Sequence, residues 1–264
     1  MRTAFVELFY FFIINARASA FGAFLLVLLF VTHFVEMPLI SRYDFIFLSA
    51  IVYQVVALVF KFEKLKEFFV IFLFHITATV MELFKTHSAI GSWSYPEVSD
   101  AFFVLATVPL FTGFLYSAVG SYISRATLLM KLSYENFPAY LHLWTLSMLI
   151  YVNFFAHHFV YDVRYFILVY ILFIFYKTKI YFTVYQKRRH MPFLMAGVFT
   201  AFFIWIAENA GTFTKVWLYP TQSSAWHIVS FEKIGSWFLL LILSFALVSL
   251  IYRDRLVQTS QSST

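Results

Sequence analysis

Long apolar runs, each ended by a short polar break, make up nearly the whole chain. Eight runs stand out, near 18–35, 43–60, 68–84, 101–123, 139–158, 164–185, 191–209 and 229–252. A helix that crosses a bilayer needs about 20 mostly apolar residues, at roughly 1.5 Å of rise each. Each run therefore predicts one crossing. No connection between runs is long enough to be a soluble domain. The expected fold is all-α: a polytopic transmembrane helix bundle of about eight spans.

The first residues need separate treatment. Ala4–Asn15 is apolar, with Arg2 before it and Ala18-Ser19-Ala20 after Arg17, which mimics a cleavable signal peptide. Glu7 within the run opposes insertion. The segment is expected to lie as a helix in the cytoplasmic interface or to extend the first span.

Composition agrees with the periodic reading. The chain of 264 residues is 62% hydrophobic and 12% charged. Soluble domains carry about 45–50% apolar and about 25% charged residues. A water-soluble fold of this size lacks the interior to hide so much apolar surface. There is no Cys, which excludes a disulfide framework and thiolate chemistry.

The formal charge of +6 reports orientation rather than nucleic-acid binding. With the N-terminus inside, 14 of the 19 Lys and Arg fall in cytoplasmic segments, Arg253 and Arg255 among them, and 5 fall outside. That asymmetry supports both termini in the cytoplasm of a bacterial inner membrane. The basic run Lys187-Arg188-Arg189-His190 fits an anionic lipid surface.

The chain also reads as one module written twice. "WSYP" at 93–96 returns as "WLYP" at 217–220, with Tyr95 and Tyr219 separated by 124 positions. Glu82 and Glu208 precede them, 126 apart. His33 and His158 are 125 apart, and Arg42 and Arg164 are 122 apart. Arg125 and Arg253 close the halves at an offset of 128. Five anchors in one order predict two parallel four-span repeats, 1–128 and 129–257, followed by a polar tail at 258–264. Four spans is an even number, so both copies insert the same way up about an axis along the membrane normal.

The repeat gathers the candidate chemistry at the outer ends. Glu82 and Glu208 sit in the last turns of apolar helices, where the helix dipole is unfavourable to an anion. Each needs a donor or cation, and both are candidate acid-base or head-group contacts. His33, Arg42, Trp93 and Tyr95 from one half, and His158, Arg164, Trp217 and Tyr219 from the other, are candidate substrate contacts. Interfacial aromatics also arise simply because Trp and Tyr are amphipathic. The residue before each Pro is held extended, which suits a fixed lid. A pair of structural ion pairs, tying each loop to its helix, is the competing role for the glutamates. No tight His/Glu spacing predicts a metal site, and no motif predicts a cofactor.

With Glu82, "GSWSYPE" and "WLYP" in view, the chain resembles the YoaT-like DUF817 family of bacterial integral membrane proteins of unknown function. That resemblance covers the whole chain and implies the bacterial cytoplasmic membrane. A weaker likeness joins "VPLFTGFLY", with Pro109, Leu110, Phe111 and Thr112, to short-chain membrane lycopene cyclases. Those enzymes carry two adjacent glutamates that are absent here, so Glu82 and Glu208 would stand in only by approaching each other. Three functions stay open: a site for a lipid-like or isoprenoid substrate, as enzyme or carrier; a secondary transporter of a small molecule; and a non-catalytic membrane scaffold. The expected partners are membrane lipids and a small hydrophobic substrate, with no nucleic acid. Oligomeric state stays open.

Overall fold

The structure, a computed structural model, describes residues 2–252. Arg253, Arg255 and the expected tail at 258–264 lie outside the described residues. Nine α-helices are found among the described residues: α1 (Arg2–Ala18), α2 (Ala20–Phe34), α3 (Arg42–Val59), α4 (Leu65–Thr86), α5 (Thr112–Leu129), α6 (Tyr140–Ala156), α7 (Arg164–Phe175), α8 (Phe193–Phe213) and α9 (Glu232–Ile251). The protein is mostly helical. Four helices, α3, α4, α8 and α9, are long and apolar enough to cross a membrane, or five spans if α1 and α2 form one broken span. The helices α6 and α7 are apolar but have only 17 and 12 residues.

Local chemistry sets several of the helix ends. Ser41 caps α3 by accepting the Asp44 N–H at 3.1 Å, which satisfies a donor the helix itself leaves orphaned. Glu67 reaches back to the Lys64 N–H at the start of α4. Lys61, at φ 58°, turns the chain between α3 and α4.

Two apolar runs fold differently from the all-helical expectation. Within 101–123, the helix begins only at Thr112. The preceding residues form a two-stranded hairpin, β1 (Val104–Leu105) with β2 (Val108–Pro109). Asp44 accepts the Phe102 and Phe103 N–H groups at 2.8 Å each, and Val108 and Phe111 are fully buried. Hydropathy alone does not separate such a buried loop from a helix. Within 164–185, the helix stops at Phe175, and β4 (Lys179–Val184) turns at Tyr185 and Gln186 into β5 (Lys187–Pro192). Tyr185 has φ 56°, as a two-residue hairpin turn of this hand requires. β3 (Ser133–Glu135) pairs antiparallel with β4 and completes a three-stranded sheet.

The chain divides into two compact units, and each draws on both halves of the sequence. Among the described residues, one comprises 2–19, 122–204 and 231–252; the other comprises 20–121 and 205–230. In the first, α6 packs against α7 and α9. Its core holds stacked Phe175 and Phe193, 4.5 Å between centroids, with Phe245 at 4.7 Å from Phe193. In the second, one core cluster joins Leu29, Tyr43, Ile46, Tyr95, Phe111 and Val216. Another joins Phe21, Leu25, Ala50 and Ile71. Aromatic rings therefore fill much of the interior of both units, where each buries a large apolar area in a directional contact.

Candidate functional site

Glu82 is 2% exposed, one turn before the end of α4. Its Oε2 accepts the Trp93 indole N–H at 2.8 Å and the Tyr95 hydroxyl at 2.6 Å. Its Oε1 accepts the Tyr116 hydroxyl of α5 at 2.7 Å. Three donors thus converge on one buried carboxylate, the arrangement that makes burial of such a group affordable. Both aromatic residues of the first Trp-x-Tyr-Pro motif are spent on it.

The second motif repeats the plan. Glu208 is 3% exposed in α8, and the Tyr219 hydroxyl donates to its Oε1. Trp217 takes a different place from Trp93. Its ring lies directly over Gly211, where an added Cβ would fall 2.0 Å from the ring. Glycine is required there by close approach.

The two motifs also hold each other. Ser94 and Leu218, the middle residues of the two tripeptides, form an antiparallel bridge. The Ser94 N–H donates to the Leu218 carbonyl at 3.0 Å, and the Leu218 N–H donates to the Ser94 carbonyl at 2.9 Å. The Trp93 and Tyr219 rings meet edge to face at 6.2 Å. A continuous path of contacts therefore runs from Glu82 through Trp93 and Tyr219 to Glu208. Burial is the main cause that holds the Tyr219 hydroxyl well above its ordinary value; the charge of Glu208 and, more weakly, that of Glu82 add to it. Burial, followed by the charge of Glu82, does the same to Tyr95. Both phenols stay protonated and remain donors at any physiological pH.

Arg42 ties further parts of the same unit together. It is 9% exposed, and its guanidinium donates to the carbonyls of Leu29 at 3.0 Å and Thr214 at 2.8 Å, to Thr32 at 3.1 Å and to Glu97 at 3.1 Å. Thr214 directly follows α8, so the cation meets the negative end of that helix, while Leu29 lies more than a turn inside α2. Its neighbour Tyr43 donates to the Val216 carbonyl at 2.7 Å.

The chain from residue 7 to 245 matches the family model described as "Protein of unknown function (DUF817)". The chain belongs to the DUF817 family. It is 35% identical over 235 residues to "Uncharacterized protein YoaT" of Bacillus subtilis (strain 168), which covers 89% of this chain and 88% of that protein. No solved structure matches.

In this DUF817 protein, eight of the ten residues singled out from the sequence share one compact unit: His33, Arg42, Glu82, Trp93, Tyr95, Glu208, Trp217 and Tyr219. His33 is half-buried against Phe34 and Phe213, at 4.8 and 6.2 Å between ring centroids. His158 and Arg164 belong to the other unit, at the α6–α7 turn. There His158 is exposed, and Arg164 pairs with Asp162 at 2.5 Å. Arg42 and Arg164, matched by spacing, therefore do different work.

Tyr116 escaped the sequence reading. The position 126 residues on is Ile242, so the repeat offered no second copy to flag it. Glu97 directly follows Pro96 of the first motif, whereas Thr221 follows Pro220 in the second. That asymmetry was the available signal for the ion pair with Arg42.

Proposed function

We propose that this is a multi-pass protein of the bacterial cell membrane, and that its two motif loops form a lid over an outer-leaflet site for a lipid-like or isoprenoid substrate. The eight helices α2–α9 follow the eight apolar runs in order, and their count suits two four-helix repeats inserted in the same sense with both termini in the cytoplasm. The shortest, α2, α6 and α7, with 15, 17 and 12 residues, would cross with help from flanking residues and local bilayer thinning. Membrane lipids are the expected partners. Glu82 and Glu208 would take the head group or act in acid-base chemistry once a phenol or indole donor is displaced. Arg42, His33, Trp93, Tyr95, Trp217 and Tyr219 would shape the lid around it.

The observation that carries the proposal is the contact path from one carboxylate to the other through Trp93 and Tyr219. Two buried acids tied by exchangeable donors make a polar patch that an amphiphile's head group can enter. A second proposal, a non-catalytic scaffold, gains from the same site, because three donors already serve Glu82. A lipid-retention experiment separates them. The protein is extracted in mild detergent, and the lipids that stay bound are identified by mass spectrometry. Glu208→Gln that assembles normally should lose a specific retained lipid. Equal retention in wild type and variant overturns the substrate proposal, and failure of both Glu82→Gln and Glu208→Gln to assemble favours the scaffold.

A further inference from the structure

We propose that α1 and the β4–β5 hairpin together form a docking surface for an anionic lipid membrane, with α1 lying along the head-group boundary. All the elements concerned belong to one compact unit. The helix has two distinct faces. Phe11 and Ile14 pack on the cluster of Ala18, Ala126 and Met130, and Phe11 also meets Phe182 of β4 at 5.9 Å. On the other side Phe5, Leu8, Phe9, Phe12 and Ile13 are exposed by 73, 54, 56, 61 and 42%. Their spacing, i, i+3, i+4, i+7 and i+8, makes one continuous stripe along the helix. The stripe contains no hydrogen-bonding side chain. A protein partner's rim would need such groups, and hydrocarbon does not.

Charge selects the kind of lipid. Glu7 is the one carboxylate among the residues of α1, and it is shared by Lys187 at 2.6 Å and Arg189 at 2.6 Å. One anion against two cations leaves the contact net positive. Tyr10 stacks on Tyr185 at the hairpin turn, 4.8 Å between centroids, which with the Glu7 contacts fixes the basic strand on the polar side of α1, away from the apolar stripe. Arg188, held over the Tyr181 ring at 4.5 Å, and exposed Lys177 add further positive charge in the same unit. Arg17 closes the helix and is exposed, a position from which a long side chain reaches phosphate while its stem stays in lipid. An apolar stripe on one side of a helix, with an excess of Lys and Arg on the other, is the pattern of a helix lying in an anionic interface.

The chain has no cysteine, so a single introduced thiol can be labelled without other changes. Phe9→Cys, and separately Ile13→Cys in case the first variant folds poorly, would carry an environment-sensitive fluorophore in the full-length protein. Reconstitution into phosphatidylglycerol vesicles should place the label at shallow depth. Lipids brominated near the carbonyl end should quench it roughly twofold more than lipids brominated near the chain terminus. Lys177→Gln and Arg188→Gln should each lower the enrichment of phosphatidylglycerol over phosphatidylcholine around the protein by up to about fivefold. Three results overturn the proposal: quenching by aqueous iodide instead of brominated lipid, strongest quenching at the bilayer centre, or a label shielded from both with thiol cross-linking between two copies.

Discussion

Gly211 and Trp217 show how tightly the second motif is drawn onto α8. A methyl group at residue 211 would enter the indole ring. Gly211→Ala must therefore push Trp217 aside and strain the bridge between Ser94 and Leu218. A cost of about 1–3 kcal/mol is expected for such overpacking, read as a lower thermal midpoint in detergent. Removal of the ring should relieve it, so the double variant Gly211→Ala with Trp217→Ala should lie closer to Trp217→Ala alone than simple addition predicts. On the first motif, Glu82→Gln exchanges a carboxylate that accepts three donors for an amide with a single acceptor oxygen. A loss of about 2–4 kcal/mol is expected from donors left poorly served, measured by the same unfolding midpoint. Glu82, Trp93 and Tyr95 were legible in the sequence because a second copy marked them. Tyr116 was not, since its partner position carries an aliphatic residue.

Elements were legible where hydropathy and length agreed. α3, α4, α8 and α9 follow their apolar runs to within a few residues. The hairpin at 104–109 did not announce itself, because Asp44, 58 residues before Phe102, supplies the acceptor that its backbone needs. No local pattern carries that information. The α6–α7 turn gives the element-scale test. Burial alone pushes the Asp162 carboxyl up, but the Arg164 N–H, the Asn153 amide and the Arg164 guanidinium outweigh it and hold it below the ordinary aspartate range. A group whose folded value is depressed stabilises above its unfolded value and loses that contribution as pH falls through the folded one. The turn should therefore open in acid, beginning near the unfolded aspartate value of about 3.9. Exchange of the Val163 and Arg164 amides, corrected for intrinsic rates, should accelerate over that range in wild type. In Asp162→Asn it should be fast already at neutral pH and lack the acid step.

For the whole molecule, orientation decides most. Reporters of compartment fused near 92 and 222 should give the same answer if the distribution of Lys and Arg reads the orientation as the sequence predicts. Opposite answers would remove the parallel repeat. The direct pairing of Ser94 with Leu218 is what two copies related by an axis along the membrane normal would produce. Spacing revealed the relation between the motifs, but not that they touch, since touching depends on backbone groups that every residue shares.

That touching is self-complementary: Trp-Ser-Tyr meets Trp-Leu-Tyr, and each gives and receives one backbone bond. Closed homodimers use contacts of this kind, in which a patch recognises its own duplicate. The Arg42–Glu97 contact stands on one side of this bridge and Gly211 beneath Trp217 on the other, so the likeness of the two loops ends at the shared backbone pair.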